Sequence, residues 1–156
     1  MNWSVTQGDC LELLKSRPSG SVDAVITDPP YGSTDCEWDK VPHLENMWVE
    51  IDRVAKQNAA IVMTATQPFT TKLIVSNSKA FRYCWVWVKD QGTGFSLVNK
   101  RPLRKHEDVV VFYKSQPFYN SVLEKLDKPR VINRKIGSNG NSLSNCLAVS
   151  NERVSV

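Results

Sequence analysis

Residues 22–32 have the sequence Val-Asp-Ala-Val-Ile-Thr-Asp-Pro-Pro-Tyr-Gly, in which a short apolar run leads directly into Asp-Pro-Pro-Tyr. The β-branched residues of 22–27 predict a buried strand, and the two prolines end it because they fix φ and lack backbone N–H donors. Ligands of open α/β sheets bind beyond the carboxyl ends of the strands. The Asp28 carboxylate, two rigid carbonyls and the Tyr31 ring are therefore predicted to line a binding site, although Asp-Pro-Pro is also a common turn.

Segments on both sides of this stretch alternate between strand and helix patterns. The other predicted elements are strands at 3–9, 59–64, 83–88 and 108–113, and helices at 10–15, from Leu44 to Ala55, and after Phe69 over 73–75. This alternation predicts crossover connections, and therefore an α/β fold with a mostly parallel sheet and helices on both faces. Periodicity fades after residue 114, and residues 145–156 predict no firm helix or strand.

The composition is that of one soluble globular domain. The 156 residues are 41% hydrophobic and 23% charged, which excludes a disordered chain, a collagen-like repeat and a disulfide miniprotein. Residues 1–113 contain 13 Lys and Arg and 13 Asp and Glu, whereas residues 114–156 contain 7 and 3, so the whole net charge of +4 belongs to the last quarter. A neutral body with a basic tail fits a polyanionic partner.

The cysteines and histidines argue against disulfide and metal chemistry. The four cysteines are widely spaced without a CxxC pair, and neither a signal-peptide pattern nor a long apolar run is present, so we expect a cytoplasmic protein with reduced thiols and no membrane span. We expect no metal site, because His43 and His106 lack ligand spacing with any cysteine. On a strand, His106 and Asp108 share one face and Glu107 the other, which disfavours a triad.

The Asp-Pro-Pro-Tyr cluster suits the transfer of an activated alkyl group onto an exocyclic amine of a nucleobase. Such an amine is a poor nucleophile because its lone pair is delocalised into the ring. Two acceptors that bind its two hydrogens localise the lone pair, and the Asp28 side chain and the Pro29 carbonyl are the candidates. Tyr31 offers a flat face for the base, where stacking contributes about 1–3 kcal/mol.

Several blocks in order resemble the amino-group DNA methyltransferases. Gly-Asp-Cys-Leu-Glu-Leu-Leu at 8–14, followed by residues 22–32, is closest to the N6-adenine enzymes of the permuted, beta-type motif order, as in phage, prophage and restriction–modification members. The similarity covers most of residues 5–119 and continues through Trp48, Arg53-Val54, 67–69, 85–87 and 102–108.

The resemblance implies a Rossmann-like S-adenosylmethionine-dependent methyltransferase sheet, double-stranded DNA as partner, and a target adenine flipped out of the stack. It implies two sets of site residues: Asp28, Pro29, Pro30 and Tyr31 bind the adenine, and Asp9, Cys10 and Asp28 lie near S-adenosylmethionine.

The chain departs from this family at the glycine-rich Phe-x-Gly-x-Gly turn that holds the methionine part of the cofactor. Gly92-Thr93-Gly94 is the only Gly-x-Gly, and we expect it to be a flexible loop because it follows a strand of a different block. We therefore expect residues 1–113 to be the front part of a catalytic core with an incomplete sheet. Residues 114–156 would be a basic, loop-rich tail resembling the start of a target-recognition region.

Three readings stay open beside an active adenine methyltransferase. The chain is alternatively a truncated, inactive module that binds DNA or a partner, a regulatory or anti-restriction binding module, or a cytosine-N4 methyltransferase. Ser more often replaces Asp28 in the N4 members, which favours adenine. Because an incomplete sheet exposes apolar surface, we also expect a homo-oligomer or a second chain along its edge.

Further predictions concern basic, aromatic and acidic residues outside the motif. The expected DNA contacts are Lys100, Arg101, Arg104, Lys105, Arg130 and Arg134. Trp85 and Trp87 share one strand face, and we expect them, like Phe69, to pack in the core rather than to stack on bases. Asp35, Glu37 and Asp39 alternate in the loop after the motif and are expected to be solvated, in a loop able to close over the site.

Overall fold

A computed structural model describes residues 3–95, 98–125 and 152–155. The helices are α1 (Cys10–Lys15), α2 (Leu44–Val54) and α3 (Phe69–Ser76), and the strands are β1 (Val22–Thr27), β2 (Ala55–Ala65), β3 (Phe81–Thr93), β4 (Arg104–Phe112), β5 (Val122–Lys125) and β6 (Glu152–Ser155). The chain divides into two compact units, Met1–Pro117 and Phe118–Val156. The first contains β1 to β4, and the second contains β5 and β6, which pair antiparallel. No described helix has the length and apolarity to cross a membrane.

The first unit is an open four-stranded sheet with the strand order β1-β2-β4-β3. β1 runs parallel to β2, whereas β4 is antiparallel to both β2 and β3. The predicted open α/β sheet is confirmed, but its strands are mixed in direction rather than mostly parallel. The reason is that β3 returns to β4 through a short connection whose described residues contain no α-helix, and only an antiparallel neighbour can be reached that way.

The core lies on one face of this sheet. Alternate residues of β2 are buried, including Ile61 and Met63, which are 2% and 0% exposed. They join a single cluster with side chains of β4, α2 and α3: Met47, Trp48, Ile51, Ala65, Phe69, Leu73, Ala80, Val110 and Phe112. Leu11 and Leu14 of α1 pack against the same cluster. The three described helices therefore cover the same face, whereas we expected helices on both.

The opposite face carries two tryptophans that we expected in the core. The register places Thr64 of β2 beside Val109 of β4, and Val109 beside Trp85 of β3, so these residues share the face that points away from the helices. Trp85 and Trp87 are 39% and 52% exposed, so the core prediction was wrong for both. It was right for Phe69, which is 1% exposed, because α3 lies on the covered face.

The first described residues, 3–9, form no strand. Trp3 and Val5 alternate with polar residues, but each is 85% exposed, and the predicted strand at 3–9 is absent. β propensity reflects packing in a sheet, and this segment pairs with none of the described strands. The strands β5 and β6 were not predicted, because neither shows a clear alternation of apolar residues.

Candidate active site

Asp28 is the first residue after β1, at the carboxyl end of the sheet's parallel strands. The Tyr31 hydroxyl donates a hydrogen bond to Asp28 Oδ1 at 2.6 Å, and the Thr64 hydroxyl donates to the same oxygen. No described residue donates to Oδ2, and the side chain is exposed. The carboxylate is thus oriented through one oxygen while the other is open to a ligand.

Thr64 was not among the predicted site residues. The parallel pairing of β1 with β2 sets Thr27 opposite Met63, so the residues that follow them, Asp28 and Thr64, come together at one edge. They are 36 positions apart in sequence. A hydroxyl residue near the end of the next strand was the only available signal, and it becomes informative only when the strand pairing is known.

Tyr31 links Asp28 to the core. Its ring stacks on Phe69 with 5.5 Å between centroids and an interplanar angle of 25°. Burial, followed by the hydrogen bond to Asp28, raises the pKa of Tyr31 well above the usual value, and the opposing effect of Thr64 is smaller. Tyr31 is therefore a neutral phenol that donates to Asp28 at neutral pH. Because the ring is only half-buried, part of its surface remains accessible.

The two prolines hold the backbone next to this carboxylate. Pro29 is buried and Pro30 half-buried. No described residue donates a hydrogen bond to the Pro29 carbonyl, so this acceptor is unpaired within the described residues. The motif thus offers a side-chain acceptor and a main-chain acceptor on adjacent residues. Two such oxygens match the two hydrogens of a primary amine.

Asp39 fastens the turn that follows the motif. It is only 5% exposed: its Oδ1 accepts the Gly32 N–H at 2.9 Å, and its Oδ2 accepts the N–H groups of Ser33 and Thr34 at 2.8 and 2.7 Å and the Thr34 hydroxyl at 2.8 Å. Burial raises the pKa of Asp39, but the Thr34 hydroxyl and the three N–H groups outweigh it and lower the pKa to about 2. The prediction of a solvated Asp39 was wrong, whereas Asp35 and Glu37 are exposed as expected.

Gly32 is required by this turn. Its φ of +64° is rarely adopted by residues with a side chain, and a Cβ there would lie 2.8 Å from Val41 Cγ2. The chain can therefore leave Tyr31 and reach the Asp39 carboxylate only with glycine at this position.

Asp9 and Cys10 are exposed at the start of α1. Asp9 is the N-cap, and its Oδ1 accepts the N–H groups of Leu11 at 2.9 Å and Glu12 at 3.1 Å. No described hydrogen bond joins either residue to Asp28. The structure thus gives Asp9 a local role in helix capping and leaves its Oδ2 and the Cys10 thiol accessible.

The basic residues predicted to contact DNA differ in their position relative to one cavity. Arg101 and Arg104 line a cavity of about 620 Å³, together with Ser33, Thr34, Thr93, Gly94 and Pro102. Lys100 and Lys105 are exposed and do not line it. Arg130 and Arg134 lie outside the described residues. The Gly92-Thr93-Gly94 segment ends β3, and its last two residues form part of the cavity wall.

The described residues contain no cluster of three His, Cys, Asp or Glu side chains that would hold a metal ion. Asp108, next to His106 and Glu107 in sequence, accepts a hydrogen bond from the Thr70 hydroxyl at 2.7 Å. It therefore ties α3 to β4.

Scans of the sequence against protein-family models and curated proteins give no match. Solved structures do match. PvuII DNA methyltransferase, which is cytosine-N4-specific, superimposes with a TM-score of 0.56 at 19% identity over 70% of this chain and 49% of its own. The M1.HpyAVI–SAM complex gives 0.50 at 18% identity over 80% and 62%. TTHA0409 of Thermus thermophilus, described as a DNA modification methylase, gives 0.51 at 20% identity over 74% and 54%.

These similarities concern the fold. The chain has the open Rossmann-like α/β fold of these methyltransferases, in agreement with the expectation from its motifs. It spans about half to three-fifths of the length of each of the three proteins.

Proposed function

We propose that the protein is a DNA methyltransferase that transfers a methyl group from S-adenosylmethionine to the N6 amino group of an adenine flipped out of the duplex. The observation that carries the proposal is a pair of adjacent acceptors at the motif, Asp28 Oδ2 and the Pro29 carbonyl, to which no described residue donates. Tyr31 and Thr64 hold the other oxygen of Asp28 in place. The methyltransferase fold supports it.

The two acceptors activate the amine. Each receives one N–H hydrogen, so the nitrogen moves towards tetrahedral geometry and its lone pair becomes available to the incoming methyl group. The Asp28 carboxylate also stabilises the positive charge that develops on nitrogen, and its open oxygen receives the proton that the amine loses. Because Tyr31 and Thr64 orient the carboxylate before the substrate arrives, little reorganisation accompanies the reaction.

S-adenosylmethionine supplies an electrophilic methyl group on a sulfonium when it is bound. Asp9, Cys10 and Asp28 are the residues that we assign to its adenosine end. Their exposure and the open Oδ2 of Asp9 fit a ligand that carries ribose hydroxyls and an amine, whereas Asp28 Oδ2 is assigned to the target amine. We assign no residue to the methionine end.

DNA is the proposed partner. Lys100, Arg101, Arg104 and Lys105 surround the β3–β4 connection, and we assign them to phosphate contacts that are independent of sequence. We assign target recognition to the basic tail at 114–156, with Arg130 and Arg134 as contacts, on its charge alone.

The test is methyl transfer from radiolabelled S-adenosylmethionine to unmethylated DNA, with digestion to nucleosides to identify the product. We expect Asp28→Ala to lower the rate by about 10²–10³-fold, the usual cost of losing one preorganised group at a developing charge. Asp35→Ala is the matched control, because Asp35 is an exposed aspartate of the adjacent loop. Equal rates in wild type and Asp28→Ala would refute the role of Asp28.

The product also distinguishes adenine from cytosine. Labelled N6-methyladenine is the expected product, because Asp at position 28 is the residue of the N6-adenine pattern. The similarity to the cytosine-N4-specific PvuII enzyme supports cytosine-N4 transfer as the second candidate, and labelled N4-methylcytosine would establish it.

Transfer requires cofactor binding, which calorimetry measures separately. No heat and no thermal stabilisation with millimolar S-adenosylmethionine would exclude activity of this chain alone and favour a module that only binds DNA or a partner.

We also propose self-association or a second chain along the sheet, supported by the exposure of Ile26 (79%) on β1 and of Trp87 on β3. A monomeric sedimentation profile at high concentration would refute self-association.

A further inference from the structure

The cavity next to the motif has the composition of an anion site. Its volume of about 620 Å³ lies within the usual range for ligand pockets, and no carboxylate is among its lining residues. Two arginines line it, together with the polar residues Ser33, Thr34 and Thr93. Arg101 and Arg104 form no ion pair with any described acidic residue, so both guanidinium groups are available for an external anion.

One wall of the cavity belongs to the loop that follows the Asp-Pro-Pro-Tyr motif. Ser33 and Thr34 come directly after Tyr31-Gly32, and the Asp39 carboxylate holds their backbone N–H groups. The two oxygens of Asp39 are occupied by these donors, the Gly32 N–H and the Thr34 hydroxyl. Both oxygens of this carboxylate are therefore engaged within the turn, and neither lines the cavity.

The other wall is tied to the same edge of the sheet. The Arg104 guanidinium donates to the hydroxyl of Thr66, which lies two residues beyond Thr64. Thr64 in turn orients Asp28. A short series of contacts thus connects the cavity to the reactive carboxylate. Gly94, with φ of +90°, turns the chain at the end of β3. Because it is a glycine, it adds no side chain to the cavity wall.

We propose that this cavity binds a phosphate group of the DNA strand that carries the target base, with Arg101 as its principal ligand and Arg104 as the second. The inference rests on the proposed function and narrows it, because it divides the basic loop into two functions. Arg101 and Arg104 fix the strand beside the motif, whereas Lys100 and Lys105 contribute only general attraction. A forked guanidinium is suited to binding phosphate oxygens in pairs.

The experiment is fluorescence anisotropy of a labelled duplex DNA with the full chain, repeated over a range of salt concentrations. We expect Arg101→Ala to weaken binding by about tenfold or more and to reduce the slope of log affinity against log salt by about 1. Arg101 is exposed, so the variant is expected to fold. Arg101→Lys keeps the charge but loses the forked guanidinium. Its DNA affinity should therefore fall between that of wild type and that of Arg101→Ala.

Arg17→Ala is the matched control. Arg17 is an exposed arginine before the amino end of β1, at the opposite end of the strand from Asp28, and its loss should leave the affinity within about twofold. Equal effects of Arg101→Ala and Arg17→Ala would overturn the proposal. The same outcome follows if Arg101→Ala binds DNA as wild type does, or if wild type does not bind DNA.

Competition separates the sources of phosphate. Inorganic phosphate or a free dinucleotide that displaces the duplex at equal concentration would overturn the assignment to a DNA strand. Methyl transfer is measured independently. If wild type binds DNA through Arg101 but transfers no methyl group, the proposed activity fails and the phosphate site stands. If transfer occurs and Arg101→Ala changes neither affinity nor salt slope, the phosphate site fails and the activity stands.

Discussion

The loop at 28–39 contains the residues that we propose for the target amine, the segment at 3–10 contains Asp9 and Cys10, which we propose for S-adenosylmethionine, and the two segments are built differently. In the first, Asp28, Tyr31 and Asp39 are held by hydrogen bonds and by a ring contact with the buried Phe69. In the second, Trp3 and Val5 are exposed, and the one strong local constraint is the Asp9 cap of α1. The half that we propose to bind the amine is therefore preorganised by the core, whereas in the half assigned to S-adenosylmethionine the described side-chain hydrogen bonds are those of the Asp9 cap.

The largest expected difference between the two regions is in the free energy of unfolding, when one aromatic side chain in each is replaced by alanine. Phe69→Ala should lower the free energy of unfolding by about 3–5 kcal/mol, because it empties a core position beneath Tyr31. Trp3→Ala should change it by no more than about 0.5 kcal/mol, because the side chain is 85% exposed. Denaturant unfolding measures both. Equal losses would mean that the two regions are packed alike.

A second difference concerns the orientation of Asp28. Thr64→Val keeps a β-branched residue in β2 but removes one of the two donors to Asp28 Oδ1. We expect methyl transfer to fall by about 10–100-fold, the equivalent of one hydrogen bond to a charged group, with unchanged S-adenosylmethionine affinity.

Thr71→Val is the control for this substitution. Thr71 is exposed on α3, and its hydroxyl donates to the Gln67 side chain at 2.8 Å, away from the carboxylate. A loss of activity as large as that of Thr64→Val would show that hydroxyl loss acts through general stability.

A smaller effect is expected at the other region. Asp9→Ala removes the N-cap of α1 and should destabilise that helix by about 0.5–2 kcal/mol. Hydrogen exchange should accelerate at residues 11–15 and remain unchanged at Thr64. Asp9→Asn keeps the cap and should preserve the exchange rates. Faster exchange at Thr64 in Asp9→Ala would show that the two regions are coupled.

The smallest expected effect concerns the pH dependence of the turn that Asp39 stabilises. At neutral pH its carboxylate stays ionised, so the turn should not change there. The folded pKa of about 2 lies below the usual 3.8, so the stabilisation of the turn is complete above about pH 4 and is lost as the pH falls towards 2. The amide NMR signals of Gly32 and Thr34 should follow this titration. In Asp39→Asn the signals should not titrate in this range, and an unchanged titration would assign it to another group.

Local sequence patterns correctly predicted several of the helices and strands. The strand at 22–27, the helix at 10–15 and the amphipathic helix beginning at Leu44 agree with the observed elements, since each depends on the spacing of apolar residues along a short segment. The segment at 3–9 has a similar alternation but no strand beside it, and so the same rule failed there. A strand requires a partner, which a local pattern does not specify.

The order of residues along the chain was enough to determine where the proposed catalytic carboxylate lies. An apolar strand followed by Asp-Pro-Pro-Tyr leaves Asp28 at the carboxyl end of β1, because prolines stop a strand. Strand pairing settled what surrounds that group. The contacts of Asp28 with Thr64 and of Arg104 with Thr66 join residues 36 and 38 positions apart. The exposure of Trp85 and Trp87 likewise follows from the sheet face that the helices leave open. Such contacts depend on which strands lie side by side, and apolar periodicity records only which side of each element is buried.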